Sequence, residues 1–135
     1  MNYLLDTSAF SDLIREHPKY AERLGKLTPD DQLLVCPIVR GELSYGLARL
    51  PEGKRGRDLR AKAARLLAAV RCEPVPPSAG DHYAQLKISR ERAGLKLDEN
   101  DLWIAACAVA YGATLVTRDT DFAGIEGLRV ENWAA

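Results

Sequence analysis

Apolar and polar positions fall into blocks along this chain, and the period changes from block to block. Tyr3-Leu4-Leu5 is a continuous apolar run ended by Asp6, and Leu33-Leu34-Val35-Cys36 and Thr114-Leu115-Val116-Thr117 are runs of the same kind. Short apolar runs without alternation suit strands covered on both faces. Between them the period lengthens to that of a helix. Phe10, Leu13 and Ile14 share one face of a segment that Thr7 or Ser8 can cap and Pro18 limits. Tyr20 to Leu27 reads as a second short helix before the Thr28-Pro29-Asp30-Asp31 turn. Val39, Leu43 and Leu47 recur on one helical face, and Leu59, Ala63, Leu66, Leu67 and Val70 form the buried stripe of a helix over 54–70. Ser78 can cap a helix that runs to Arg92, and Asp101 opens a strongly apolar helix that ends at Tyr111 and Gly112. Cys72-Glu73-Pro74-Val75 is a weak third strand and Leu128-Arg129-Val130 a short fifth. Strands alternating with helices predict an α/β fold with a central, mostly parallel sheet of about five strands, covered on both faces.

Composition narrows this only a little. A chain of 135 residues, 47% hydrophobic and 28% charged, has the make-up of an ordinary globular protein, read here as a single domain over residues 1–135. Its 19 basic and 19 acidic residues cancel. The sum excludes a strongly basic chain but leaves open how charge is segregated over the surface. The three cysteines, Cys36, Cys72 and Cys107, lie in apolar surroundings with no ligand spacing, as reduced thiols of a cytoplasmic protein do. The N-terminus reaches Asp6 too soon for a signal peptide, and no run approaches the ~20 apolar residues of a membrane span.

Acidic residues at element boundaries change the picture more. Asp6 follows the first apolar run, Glu42 lies shortly after the second, Asp101 stands at the mouth of the apolar helix, and Asp119 follows the fourth run. Ligands of parallel α/β sheets bind outside the carboxyl ends of the strands, so four such acids would converge at one edge. Each also has a plain structural use: Asp6 as a helix cap, Glu42 as a solvated helical residue, Asp101 as a favourable charge at a helix start, Asp119 as a turn residue. Joint placement is stronger evidence than any one of them. Carboxylates held together repel, and a hard divalent cation, Mg²⁺ or Mn²⁺, relieves that repulsion. The chemistry that follows is metal-assisted hydrolysis of a phosphodiester. Asp6 and Asp101 are the expected direct ligands, with Glu42 and Asp119 binding a second ion or orienting its waters. Thr7, Ser8 and Thr117 would support those acids or touch phosphate.

No competing chemistry has a comparable pattern. His17 and His82 lack metal-ligand partners, and no GxSxG elbow, phosphate-binding P-loop or GxGxxG is present. An aspartyl-phosphate phosphatase built on Asp6 would want a second Asp two residues on, where this chain has Ser8.

Four of these segments resemble, in order, the motifs of the PIN-domain family, and in particular of the VapC toxins of prokaryotic toxin–antitoxin systems. Leu5-Asp6-Thr7-Ser8 is similar to the family's opening motif, Glu42-Leu43 with Gly46 to its E-L-x-x-G, and Asn100-Asp101-Leu102-Trp103-Ile104-Ala105-Ala106 to its D-x-x-I-A-A. Leu115-Val116-Thr117-Arg118-Asp119 with Asp121-Phe122 resembles the fourth, and Gly127-Leu128-Arg129-Val130 the closing segment. The resemblance implies a three-layer α/β/α PIN-like fold and an Mg²⁺- or Mn²⁺-dependent endoribonuclease acting as a toxin. It carries over Asp6, Glu42, Asp101 and Asp119 as the acidic site. Its further implications are an RNA substrate, a cognate VapB-type antitoxin whose C-terminal segment covers the groove, and a homodimer. The fourth motif is one residue tighter than in many relatives, which sets Asp121 against Asp119 for the place facing the metal; Asp119 is preferred. Cys107 stands where the family usually has Thr. The alternative function is a non-catalytic PIN-like module that binds RNA or protein. Among partner surfaces, the basic residues Lys54, Arg55, Arg57, Arg60, Lys62 and Arg65 are candidates for RNA-backbone contact, and Tyr45, Leu47 and Leu50 for a groove that receives a partner.

Overall fold

The computed structural model describes all of residues 1–135. Five parallel strands form one sheet: β1 (Asn2–Leu5), β2 (Gln32–Val35), β3 (Arg71–Cys72), β4 (Ala113–Val116) and β5 (Val130–Glu131). Their spatial order is β3-β2-β1-β4-β5. In the centre Leu4 is in register with Leu34 on one side and Leu115 on the other. These central residues are buried on both faces, which is why their sequence shows continuous apolar runs.

Six helices connect the strands: α1 (Thr7–Ile14), α2 (Pro18–Leu24), α3 (Pro37–Ala48), α4 (Lys54–Ala69), α5 (Pro77–Arg92) and α6 (Glu99–Ala110). A short 3-10 turn, Thr120–Phe122, lies between β4 and β5. The chain steps outward from β1 to β2 to β3, then returns past β1 to lay down β4. Right-handed crossovers put α5 and α6 on the face opposite the earlier helices, which gives the three-layer α/β/α arrangement. The reversal between β1 and β4 opens a crevice at their carboxyl ends. One cluster of 25 buried residues unites both layers, with Phe10, Tyr20, Val39, Ile104 and Phe122 contributed by different helices and turns.

Several boundaries differ from the sequence expectation. Pro18 opens α2 rather than merely limiting α1, because a missing N–H costs nothing at the first helical position. α5 likewise begins on Pro77 with no side-chain cap, so Ser78 does not cap it. β3 is Arg71–Cys72 and stops before Pro74, which has no N–H to continue a ladder. β5 is Val130–Glu131, since Leu128 is drawn into a turn by donating to Ile125 O. α6 begins at Glu99, so Asp101 lies inside its first turn rather than at its opening residue. Thr7 and Ser8 are not the cap of α1; Asp6 is.

Candidate active site

Asp6 leaves β1 beside the reversal point, and the fold uses both of its oxygens. Oδ1 accepts from Ala9 N at 2.8 Å, which caps α1, and from Ser8 Oγ at 2.8 Å. Oδ2 accepts from Thr117 Oγ1, at the end of β4. Thr117 Oγ1 also accepts from Asp119 N at 3.0 Å, so one hydroxyl ties Asp6 to the segment carrying Asp119. Asp6 is only 5% exposed. Burial pushes its carboxyl above the usual range, the three hydrogen bonds work against that rise, and the charge of Asp119 adds to it.

Glu42 comes from α3, after β2. Its Oε1 accepts from Thr7 Oγ1 at 2.7 Å and its Oε2 from Asn100 Nδ2 at 3.4 Å. The pair of bonds joins the starts of α1 and α6 across α3. Asp101 sits one residue beyond Asn100. Its carboxyl is pushed up to about 6, first by burial and then by the charges of Asp98, Glu42, Asp119 and Asp6. All four sequence-predicted acids therefore act on Asp101 or belong to it. Asp121 does not join them: its side chain is exposed, its backbone N–H donates to Asp119 Oδ1 at 2.9 Å, and its carbonyl accepts from Arg90 at 3.2 Å. Asp119 caps the 3-10 turn, and its charge acts on both Asp6 and Asp101.

Carboxylates supported by hydroxyl and amide donors form a hard oxygen set, and repulsion within it favours a cation. That chemistry fits Mg²⁺ or Mn²⁺. No three of the His, Cys, Asp and Glu side chains stand close enough to grip an ion as they are. The fit is therefore to an ion that keeps several of its waters, as Mg²⁺ usually does.

A groove of 210 Å³ runs from this cluster between α1, α3 and α4, with Thr7 and Glu42 at its polar end and Ile14, Leu43, Leu47, Leu50 and Leu59 along it. Leu47 and Leu50 line this groove, whereas Tyr45 is 65% exposed and lies under Arg49 instead. The basic face of α4 is partly engaged already: Arg60 donates to Leu47 O at 3.1 Å, and Lys62 pairs with Glu16 at 2.9 Å. His17 caps α2, accepting from Lys19 N at 3.2 Å, away from the acids. Cys36 and Cys107 are buried and Cys72 is partly so, all three as free thiols.

Sequence reasoning gave no role to Asn100, Asp12 or Arg118. Asn100 lies in the same motif as Asp101 and could have been marked by that adjacency. Arg118 Nε meets Asp12 Oδ2 at 3.1 Å across 106 residues of chain, a pairing with no local signature.

The model of the PIN domain matches residues 3–128, and the chain belongs to the PIN-domain family. Its relatives include ribonucleases named VapC. It is 32% identical to Ribonuclease VapC2 of Rickettsia felis over 98% of both chains, and 31% identical to Ribonuclease VapC1 of Haemophilus influenzae over 98% of both. Among solved structures it is similar to that of VapBC2 from Rickettsia felis bound to a DNA fragment from their promoter, with a TM-score of 0.88, 30% identity, and 98% and 99% of the two chains covered. No helix is long and apolar enough to cross a membrane.

Proposed function

We propose that this protein is a metal-dependent endoribonuclease, the VapC-type toxin of a toxin–antitoxin pair. The observation that carries the proposal is the joining of Asp6, Glu42, Asp101 and Asp119 at the reversal point of the sheet, where burial first and the neighbouring charges second push the Asp101 carboxyl up to about 6. Whole-length similarity to VapC ribonucleases supports RNA as the substrate.

In this reading Asp6 and Asp101 hold Mg²⁺ or Mn²⁺, and Glu42 and Asp119 either bind a second ion or orient its waters. When bound, the ion lowers the pKa of an attacking water and offsets the charge that builds on the phosphoryl oxygens. The chain's own groups supply the geometry. Thr117 and Ser8 fix both oxygens of Asp6, so this carboxylate enters the reaction already oriented. Thr7 and Asn100 fix Glu42 in the same way. Thr117 also holds the Asp119 backbone, so one hydroxyl ties together the two segments that carry these acids. Burial around Asp6 and Asp101 lowers the local dielectric and strengthens each charge interaction there.

The antitoxin in this reading is a VapB-type protein, and structures of VapBC complexes resemble this chain over nearly its full length. The apolar groove opening on Thr7 and Glu42 suits an amphipathic segment whose far end would block the acids. The toxin is proposed to act as a homodimer.

End-labelled structured RNAs incubated with purified protein and Mg²⁺, Mn²⁺ or EDTA, beside Asp6→Asn, test the reading. Cleavage that requires both the ion and Asp6 is expected. Cleavage unchanged in EDTA or in the variant would sink it. The second reading is a non-catalytic RNA- or protein-binding module. A binder would keep its function in Asp6→Asn and Asp101→Asn; a nuclease would lose activity in both while remaining folded.

A further inference from the structure

Four acids at the site repel the phosphates on either side of a scissile bond, and a cation at the centre does not hold those neighbouring phosphates in place. Arg118 is positioned to do so. It lies between Thr117 and Asp119, so its main chain is fixed by the same hydrogen bonds that fix the acids. Its Nε donates to Asp12 Oδ2 at 3.1 Å, and neither terminal nitrogen donates to any group of the chain. The pair is lopsided: the Asp12 side chain is 11% exposed and that of Arg118 54%. Asp12 is thus an anchor set into α1, and the forked end of the guanidinium is left in solvent with its donors free. Asp12 follows Ser8 by one helical turn on the same face, about 5–6 Å away, and Ser8 is the residue whose hydroxyl holds Asp6. The guanidinium is thus tied to α1 one turn beyond the residue that holds Asp6. Of the other basic side chains nearby, Lys87 pairs with Glu99 and Arg90 holds the Asp121 carbonyl, while Arg15 lies on the far side of α1 along the groove that opens on Thr7 and Glu42.

We infer that Arg118 is a substrate-contacting residue whose guanidinium binds an RNA backbone phosphate beside the scissile linkage, with Asp12 as its positioning residue. A planar fork held through Nε presents its terminal donors together, which suits bidentate capture of a phosphate. This rests on the nuclease reading above and adds to it a contact made by the substrate strand outside the acids.

The test uses an RNA oligonucleotide with one cleaved linkage, and versions that carry a single neutral methylphosphonate at each flanking linkage. Wild-type protein is expected to lose about tenfold in kcat/KM at one flanking position. Arg118→Gln is expected to lose about as much on unmodified RNA and nothing further at that position. Arg118→Lys keeps the charge without the fork and recovers part of the loss. Asp12→Asn raises KM although Arg118 is intact. Equal losses from the neutral linkage in wild type and Arg118→Gln, at every position, overturn the inference. A second arm is independent of cleavage and of any instability in Arg118→Gln. RNA binding by Asp6→Asn and by Asp6→Asn/Arg118→Lys is measured against KCl, with Asp6→Asn also measured on the methylphosphonate series. Loss of affinity at the same flanking linkage, weakened by the Lys substitution, supports the contact. Asp6→Asn affinity that is indifferent to every neutral linkage overturns it. Where Arg118→Gln folds, its binding slope against salt should be shallower by about 0.7. A wild-type protein that cleaves no RNA would count against the nuclease alone, because the binding arm still decides the phosphate contact.

Discussion

At the scale of single residues, the hydroxyl of Thr117 has the widest reach. It donates to Asp6 and accepts from the backbone of Asp119, so it sets the distance between acids that come from two strands. Thr117→Val preserves shape and removes both bonds. Activity at limiting Mg²⁺ is expected to fall about 10–100-fold, with partial recovery at high Mg²⁺, measured as cleavage rate against metal concentration. Asp6 has two duties that separate cleanly. Asn caps a helix about as well as Asp, so Asp6→Asn should unfold within about 0.5 kcal/mol of wild type, whereas Asp6→Ala loses the cap and about 1 kcal/mol. Urea denaturation of both variants checks this. The sequence showed Asp6 plainly, because an acid directly after a buried strand is unusual. It did not show that capping and site roles coincide, since one carboxylate has two oxygens and a string of letters does not say where each points.

At the scale of elements, α3 and α4 differ in what their glycines tolerate. A Cβ on Gly56 would lie 2.7 Å from Pro51 O, main chain that cannot swing aside, so Gly56→Ala should destabilise by about 1–3 kcal/mol. Gly41, on the exposed side of α3, has nothing within 4 Å of such a Cβ. Gly41→Ala should therefore stabilise by about 0.5–1 kcal/mol through helix propensity. Thermal melts of the pair in parallel give opposite shifts if the packing is as described. Central elements were legible because β1, β2 and β4 bury both faces and need unbroken apolar runs. Edge strands were legible in existence but not in extent, because two-residue strands carry no period to bound them. The start of α6 was misplaced for a related reason: Asp98 ends the loop without a side-chain cap bond, so nothing in the letters marks it above Asp101. Contacts such as Asp12 with Arg118 and Glu42 with Asn100 join distant elements, and only the folded topology brings them together.

At the scale of the whole molecule, net neutrality conceals a local excess of negative charge at the crevice. The Asp101 carboxyl, ordinarily near 3.8, rises to about 6 on folding. The folded chain then binds more protons than the unfolded chain between those values, and its stability falls as pH rises through that window. Metal-free protein should melt at a lower temperature at pH 7 than at pH 5, and Asp101→Asn should flatten the difference. Added Mg²⁺ should raise the melting temperature more at pH 7 than at pH 5, because protons compete with the ion for the same oxygens. Differential scanning fluorimetry across pH, with and without Mg²⁺, reads both effects.

The sheet itself has a further consequence for assembly. Both of its edges, β3 and β5, are only two residues long. A foreign strand laid along either side would find main-chain donors and acceptors for barely one repeat of a ladder before meeting Pro74 on one edge or the turn at Trp133 and Ala134 on the other. Extension of the sheet into a neighbour, the route by which many α/β proteins aggregate or recruit extended peptides, is closed off by geometry. A companion of this molecule is met instead by its helices and by the loops at the carboxyl ends of the strands.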